Sequence, residues 1–351
     1  MTHSLQMDDL FSKFPIIQGG MGVGISLHNL AGHVAKAGGI GIISSAQIGY
    51  KEPDFLTHTL SANLRALKEE IKKARLIASQ GVIGVNIMVA LNHYGEIVRA
   101  AVEAGADLII SGAGLPVNLP LYTKGSRTKI APIVSSGKAA SVICKLWDRK
   151  NQVAPDMIVV EGPLAGGHLG FSLEEIKANP NVLDIMQDVK KVVSEYEVKY
   201  HKRIPIVVAG GFYSGDEVAA ALKAGADGVQ MGSRFVTTYE CDAPNAYKDA
   251  YIKATPDQIG IIKSPVGMPG RAILNSFITH VPGNQACYYH CIEKCGITTI
   301  PYCISKALIS AAEGDLDHAL LFCGSHAHRA TKLEHVYDIF EEIEAALSTS
   351  F

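Results

Sequence analysis

The sequence predicts a closed (β/α)8 barrel, a TIM barrel, followed by a helical extension that contains cysteine. Short apolar runs alternate with helix-length amphipathic segments over the first 255 residues, a pattern typical of repeated strand–helix units around a parallel sheet. Eight such runs are present, which is the number of strands that closes this barrel. The 351 residues, 48% of them hydrophobic, are enough for a barrel of roughly 250 residues and an extension.

Each predicted strand is a short run of aliphatic residues between polar or glycine-rich segments. The eight runs lie at residues 16–18, 40–43, 83–87, 108–111, 130–134, 157–161, 206–209 and 228–231. A weak internal repeat supports this count, because three predicted helices end in a similar pattern before a strand: Ala37-Gly38-Gly39, Ala104-Gly105-Ala106 and Ala224-Gly225-Ala226. Glycine can adopt the left-handed conformation that closes a helix. The repeat indicates parallel α/β architecture and, by itself, no function.

The chain beyond Ala254 has a different pattern. A segment that contains proline and glycine, 264–270, precedes a cysteine-bearing segment and two predicted helices at 304–313 and 333–347. We therefore predict two regions, a barrel at residues 1–255 and an extension at residues 256–351 that packs on it. The composition of the extension gives no reason to treat it as an independent domain.

Five of the seven cysteines lie after residue 280, and four of them, Cys287, Cys291, Cys295 and Cys303, are spaced by three, three and seven residues. Thiolates are preferred ligands for zinc and iron–sulfur clusters, but the usual Cys-x2-Cys pairs are absent. A helix through 287–295 would instead place three cysteines on one face as a small apolar stripe. We favour reduced packing thiols, and metal binding and redox chemistry stay open as alternatives.

The composition excludes several classes of partner. The formal net charge is −2 with 19% charged residues, so the chain lacks the basic field that nucleic acid binding requires. Residues 1–14 include Asp8 and Asp9 and lack the apolar core of a signal peptide. No run approaches roughly 18 uninterrupted apolar residues, the length needed to span a membrane. We expect a cytoplasmic protein that binds neither nucleic acid nor membrane.

Glycine follows four of the predicted strands, at the end of the barrel where active sites lie. The segments concerned are Gln18-Gly19-Gly20-Met21, Gly166-Gly167-His168, Gly210-Gly211 and Gln230-Met231-Gly232-Ser233. Glycine lets the backbone approach a flat ligand closely, and the loops after strands seven and eight commonly bind phosphate. We therefore predict a phosphate ligand there. The glycines alone leave open a flavin, a sugar phosphate or pyridoxal phosphate, or simply tight turns.

Polar side chains also gather at the predicted strand ends. They are Gln18, Ser44, Asn86, Ser135, Lys138, Glu161 and Gln230. An isoalloxazine ring requires hydrogen bonds to its pyrimidine edge and a donor or positive group near N1–C2. Gln18, Asn86 and Lys138 are of the required types, although each could equally serve as a capping or turn residue.

His168 is the candidate catalytic base. It follows Gly166-Gly167 directly after the sixth predicted strand, so its imidazole should project into the mouth of the barrel. An unperturbed pKa near 6.5 lets histidine accept a proton at neutral pH. His326 and His328 lie in the extension near Gly324, where the sequence predicts no comparable placement.

Four ordered segments resemble the nitronate monooxygenase family, formerly called 2-nitropropane dioxygenases. They are 15–21, 165–170, 209–211 and 230–235, and the similarity covers about residues 15–275, including Ser264-Pro265 and Gly270-Arg271-Ala272. The same superfamily includes the FMN-dependent enoyl-ACP reductases. This chain departs from the commonest pattern where Pro163-Leu164 replace an acidic-alanine pair, so no metal role is carried over from relatives.

The resemblance implies a flavoprotein that binds FMN non-covalently across the strand ends. The implied cofactor-binding residues are Gln18, Gly19, Gly20, Met21, Ser44, Asn86, Lys138, Glu161, Gly166, Gly167, Gly210, Gly211, Gln230, Met231, Gly232 and Ser233. The catalytic histidine of the family falls on His168, and no metal ligand is implied. The implied reaction is the oxidation of alkyl nitronates or nitroalkanes with O2 to carbonyl compounds and nitrite.

Two alternatives stay open at this point. One is an FMN-dependent enoyl-ACP reductase that uses NAD(P)H to reduce an enoyl thioester, with His168 near the substrate carbonyl. The other belongs to a different class, a non-redox phosphate-binding barrel such as a sugar-phosphate isomerase or a ligand-binding regulator. The sequence leaves both the monomer and the homodimer open.

Overall fold

The computed structural model describes residues 4–280, 291–292, 295 and 300–351. We number its strands and helices in chain order. The strands are β1 Leu5–Met7, β2 Leu10–Ser12, β3 Ile16–Gln18, β4 Ile40–Ser44, β5 Val82–Met88, β6 Leu108–Gly112, β7 Lys129–Val134, β8 Ile158–Glu161, β9 Gly167–His168, β10 Ile206–Ala209, β11 Gly228–Met231, β12 Ile259–Lys263 and β13 Pro269–Ile273.

The α-helices are α1 His28–Lys36, α2 Thr59–Ile77, α3 Tyr94–Glu103, α4 Leu119–Tyr122, α5 Gly137–Asn151, α6 Leu173–Ala178, α7 Val182–Tyr200, α8 Gly215–Lys223, α9 Ser233–Val236, α10 Asn245–Lys253, α11 Ser276–Thr279, α12 Ile304–Glu313 and α13 Val336–Ser350. Short 3-10 helices lie at Pro256–Gln258, Leu316–His318 and Ala327–Arg329.

Eight parallel strands form a closed barrel in the order β10-β11-β3-β4-β5-β6-β7-β8, which confirms the predicted TIM barrel. The observed bounds of three barrel strands are the same as the predicted ones. Those of the other five differ from the prediction by one residue at one or both ends. The helix ends also match the prediction, because the glycines after Ala37, Ala104 and Ala224 adopt φ angles of +98°, +82° and +99°. The final helix begins at Val336 rather than Leu333, because the backbone N–H of His335 donates to Asp338 and caps it.

Two apolar layers hold the barrel together, because successive strand residues point to opposite faces. Ile17, Ile42 and Val159 pack inside the barrel, whereas their neighbours Ile16, Ile43 and Val160 pack outward under the helices. The hairpin of β1 and β2 was not predicted. It buries Leu5 and Met7 against the interior residues at the start of the strands, so it closes the end of the barrel away from the strand C-termini.

The C-terminal part of the chain packs on the barrel through α13 and α12, and a small sheet joins the two regions. Helix α13 packs against α8 and α1, and Phe340 lies edge-on to Phe14 with ring centroids 5.3 Å apart. A three-stranded sheet in the order β12-β13-β9 joins the hairpin of β12 and β13 to the segment that follows β8. The boundary at residue 255 between the barrel and the extension stays a prediction. The small sheet contains strands from both sides of this boundary.

Within the described ranges, every helix is too short or too polar to cross a lipid bilayer. Cys303 is buried just before α12, and Cys291 Sγ lies 2.9 Å from Ser305 Oγ. Cys287 lies outside the described residues. Of the helix considered at 287–295, the described residues Cys291, Ile292 and Cys295 are not helical, and Ile292 forms an isolated bridge with Leu91. Among the residues that are described, no group of three or more His, Cys, Asp or Glu side chains could hold a metal ion.

Candidate active site

A cavity of about 420 Å³ opens at the C-terminal ends of the barrel strands. All the predicted site residues except Gln18 and Lys138 line this cavity. They are Gly19, Gly20, Met21, Ser44, Asn86, Glu161, Gly166, Gly167, His168, Gly210, Gly211, Gln230, Met231, Gly232 and Ser233. The remaining wall comes largely from residues that the sequence did not single out, among them Tyr213, Met268 and Phe322. The glycine-rich strand ends therefore meet in one place.

Gln18 and Lys138 lie outside the lining. The Gln18 side chain is buried between strands, where Nε2 donates to Ile42 O at 3.2 Å and Oε1 accepts from Ile42 N at 3.1 Å. Lys138 is exposed on the first turn of α5. Gln18 thus joins β3 to β4, and no contact of Lys138 places it at the cavity.

Four polar side chains enter the cavity from the barrel strands themselves, Ser44, Asn86, Glu161 and Gln230. Gln230 Oε1 is buried and has no hydrogen-bond partner among the described residues. Burial raises the pKa of the Glu161 carboxyl to about 7. Near neutrality this carboxyl can therefore exist in its protonated form, which donates a hydrogen bond, as well as in its ionised form, which accepts one.

His168 is held by a residue of the C-terminal hairpin. It lies on β9, which pairs with β13 through His168 and Gly270. His168 Nε2 is 2.7 Å from Ser264 Oγ, and the imidazole packs edge-on to Phe322 with centroids 5.0 Å apart. Burial lowers the pKa of His168 to about 4. The ring is therefore neutral at physiological pH, with one nitrogen that can accept a proton.

Arg271 fixes the loop that precedes His168. Its guanidinium is buried, and Nη1 donates to Pro163 O at 2.7 Å and to Ala165 O at 2.5 Å. Burial lowers the pKa of Arg271 from its ordinary value, which leaves the group charged because that value is far above neutrality. The residues between β8 and β9 are thus tied to β13 by both backbone pairing and a charged side chain.

The loops after β10 and β11 form a second part of the cavity. Gly210 and Gly211 adopt φ angles of +95° and +89°, which a residue with a Cβ would resist. The backbone N–H of Gly324 donates to Ser233 Oγ at 2.8 Å, so residues of the C-terminal region reach these loops.

His326 lies at the cavity, so the expectation that it has no comparable placement is wrong. It lines the cavity together with Gly324 and Ser325, and the nearby backbone of Gly211 favours the protonated form of its ring. Ser325 Oγ and His326 Nδ1 are both buried without a hydrogen-bond partner among the described residues. These residues have no periodic pattern in the sequence, because they lie in the irregular segment between the 3-10 helices at Leu316–His318 and Ala327–Arg329.

The chain matches the family model described as "Nitronate monooxygenase" over residues 4–345. It is 28% identical over 265 residues to the (3aS,4S,5R,7aS)-5-hydroxy-7a-methyl-1-oxo-octahydro-1H-indene-4-carboxyl-CoA dehydrogenase of Rhodococcus jostii, covering 74% of this chain and 63% of that one. It is 29% identical over 300 residues to a probable nitronate monooxygenase of Staphylococcus aureus, covering 76% and 77%. The chain thus spans less than two thirds of the length of the Rhodococcus dehydrogenase.

Two solved structures have the same fold. FabK from Thermotoga maritima superposes with a TM-score of 0.72 at 24% identity, covering 96% of this chain and 93% of that one. A nitroalkane oxidase from Streptomyces ansochromogenes gives a TM-score of 0.72 at 21% identity, covering 96% of each chain. At these identities the likeness shows the fold.

Proposed function

This chain belongs to the nitronate monooxygenase family, a family of flavin oxidoreductases, and we propose that it is an FMN-dependent enzyme that oxidises alkyl nitronates or nitroalkanes. In this reaction O2 is the oxidant, and the products are a carbonyl compound and nitrite. The observation that carries the proposal is the position of the His168 imidazole, held by Ser264 at the wall of the glycine-lined cavity.

The residues of the cavity fit the flavin part of FMN. The unpartnered Gln230 Oε1 can accept a hydrogen bond from the pyrimidine edge of the ring, and Asn86 and Ser44 line the same cavity. A Cβ on Gly167 would meet no atom within 4 Å, and one on Gly232 would come no closer than 3.5 Å, to Met21. Because these two residues have no side chain, they leave open space in the cavity wall, and a flat ligand needs such space to lie close to the backbone.

The phosphate of FMN distinguishes this cofactor from riboflavin, and the loops after β10 and β11 are the part of the cavity suited to it. Gly210, Gly211 and Gly232 line the cavity there, and backbone N–H groups in such loops bind phosphate in many barrels. We therefore assign the cofactor as FMN, with Gly166, Gly167 and Met231 contributing to the surrounding wall.

When bound, FMN would supply the electron transfer between substrate and dioxygen. The chain itself would bind the substrate beside His168 and move one proton. A neutral imidazole can accept the α-proton of a nitroalkane, whereas Ser264 holds the ring in place through Nε2. Phe322, which packs on the His168 ring, and Met268 and Met21 elsewhere in the lining give the cavity apolar surface that limits the access of water.

A steady-state assay tests the proposal. Nitronate-dependent oxygen uptake without NAD(P)H, with release of nitrite, is the expected result. Loss of an enoyl thioester that depends on NAD(P)H would favour the reductase alternative, for which the name of the Rhodococcus relative, a dehydrogenase of an acyl-CoA, gives some support. A purified protein that binds no flavin would instead support a non-redox phosphate-binding barrel.

The pH profile should reveal the depressed pKa of His168. Because burial disfavours the charged imidazolium, the neutral base should persist well below the ordinary histidine pKa of 6.5. We expect kcat/KM for a neutral nitroalkane to lose its His168-dependent part only as pH falls toward about 4. The measurement is kcat/KM between about pH 4 and 8, which reports on groups of the free enzyme.

Glu161 is the control for this profile, because its pKa of about 7 lies inside the same range. An inflection near neutrality that disappears in Glu161→Gln belongs to the carboxyl. A loss of activity centred near 6.5 that persists in Glu161→Gln would contradict the assignment of a buried neutral His168.

A further inference from the structure

We propose that Ser325 and His326, in the C-terminal part of the chain, complete the site for the phosphate of the bound flavin. This inference rests on the proposed function, because it takes FMN as the cofactor. It assigns a ligand to two cavity residues that lie outside the glycine-rich segments and that have no other structural explanation.

The first support is the state of the two side chains. Ser325 Oγ and His326 Nδ1 are buried, and neither has a hydrogen-bond partner among the described residues. Both residues line the cavity. Buried polar atoms in native proteins nearly always have partners, because leaving them unpaired is unfavourable. Two adjacent unpaired atoms at one cavity wall indicate a polar ligand between them and the opposite wall.

The segment 324–326 also lies in the right place for a phosphate site. It lies beside both loops expected to bind phosphate, since Gly324 N donates to Ser233 Oγ at 2.8 Å and the backbone of Gly211 is near enough to the His326 ring to affect its pKa. The backbone N–H of Ser325 donates to Leu164 O at 3.1 Å, which ties the segment to the loop after β8 as well. Ser325 and His326 thus face the loops after β10 and β11.

The arginine side chains near this end of the cavity are already paired with carboxylates. Arg329 pairs with Glu217 at 2.6 Å, and Arg234 pairs with Glu334 and Glu342 at 3.2 and 2.7 Å. The positive charges near this end of the cavity are therefore largely compensated within the protein. A protonated His326 would add a positive charge to a site that binds a phosphate dianion.

The unpaired nitrogen of His326 defines how the residue would act. Nδ1 is buried without a partner among the described residues, and the nearby backbone of Gly211 favours the protonated ring. We infer that the proton of the neutral ring is on Nε2, so that Nδ1 can donate to a phosphate oxygen only in the imidazolium form. Binding of the phosphate should therefore be accompanied by uptake of one proton.

The surroundings of His326 set the direction of this coupling. Burial lowers the pKa of His326, Arg329 and His328 lower it further, and Glu217 opposes them. In the protein without a ligand the ring is thus mostly neutral at pH 7. A phosphate dianion next to Nδ1 would raise the pKa, so FMN should bind more weakly as the pH rises.

The test compares FMN with riboflavin, which has the same ring and lacks the phosphate. We would titrate the full-length chain and its Ser325→Ala and His326→Ala variants with each flavin and follow the quenching of flavin fluorescence. Each variant should raise the Kd for FMN by about tenfold, the size expected for a lost hydrogen bond to a charged group. The Kd for riboflavin should change by less than about twofold.

His318→Ala is the matched control. It lies in the same C-terminal region, is largely exposed and pairs with Asp315 rather than with the cavity. Its Kd for both flavins should equal that of the wild type. Equal weakening of FMN and riboflavin in the Ser325 and His326 variants would overturn the inference, because it would indicate a structural role, and so would unchanged FMN binding.

The dependence of binding on pH provides a second readout. Between about pH 7 and 9 the phosphate is already a dianion, since its second pKa is about 6. We therefore expect the Kd of the wild type for FMN to rise over this range. The Kd of the wild type for riboflavin, and the Kd of His326→Gln for FMN, should not rise. A flat wild-type profile would contradict proton uptake by His326. A wild-type chain that binds neither flavin would refute the proposed function, and this outcome differs from all of those above.

Discussion

Replacement of His168 with alanine is expected to lower kcat/KM for a neutral nitroalkane by about 100-fold or more, the usual contribution of a general base. The variant should keep FMN, because the polar atoms assigned to the ring and phosphate belong to other residues. The change removes the one imidazole that pairs with Ser264 at the cavity wall. The measurements are oxygen uptake with a nitroalkane and the flavin content of the purified variant.

The preformed nitronate is the matched substrate for this experiment, because its α-proton has already been removed. His168→Ala should therefore impair turnover of the nitronate much less than turnover of the nitroalkane. His168→Asn, which retains a polar side chain but no base, should behave like the alanine variant. Unchanged nitroalkane turnover would remove His168 from this role, and loss of flavin would make the role structural.

Replacement of Gly41 with alanine is expected to destabilise the barrel by about 3 kcal/mol or more, at the upper end of the cost of overpacking. Gly41 lies in β4, where an added Cβ would fall 1.8 Å from Ala31 O and 2.6 Å from Ala31 C. These atoms are helix backbone, so α1 would have to move as a unit. Urea or thermal unfolding followed by circular dichroism measures the change in the free energy of unfolding.

Gly105→Ala separates the overlap from backbone strain. A Cβ there would meet no atom within 4 Å, but the residue has a φ angle of +82°, so only the left-handed conformation should cost energy, about 1–2 kcal/mol. Gly41→Ala should therefore be the more damaging variant. If it were within about 0.5 kcal/mol of the wild type, the size typical of surface substitutions, the close packing of α1 on β4 would be contradicted.

The barrel could be predicted from the sequence because its strands are short aliphatic runs and its helices end in glycine. The alternation of side chains along each strand also explains which polar residues reach the cavity. Glu161 lies two residues after the interior Val159, and Ser44 lies two after the interior Ile42. Gln18 instead lies two residues after Ile16, which packs outward, so its side chain is placed between strands.

The parts of the site that escaped the sequence analysis come from loops and from contacts distant along the chain. His168 pairs with Ser264 across 96 residues, and Gly324 meets Ser233 across 91 residues. Neither contact has a periodic signature. His326 was rejected because no strand precedes it directly, although folding of the C-terminal region returns it to the loops after β10 and β11.

Lys138 is a different case, because its side-chain type suited a flavin but its position did not. It lies four residues beyond Val134, the last residue of β7, and the first turn of α5 directs it to the exterior. Residue type at a strand end is thus insufficient, since the geometry of the first helical turn decides whether a side chain faces the cavity.

The central claim is that the glycine-lined rim of this barrel binds one FMN beside His168. The most direct measurement is to release the flavin from the purified full-length protein by denaturation, identify it by chromatography and relate its amount to the protein. Our account predicts FMN in a ratio near one per chain. A protein that is colourless and stays so after incubation with FMN, or one that releases FAD, would contradict it.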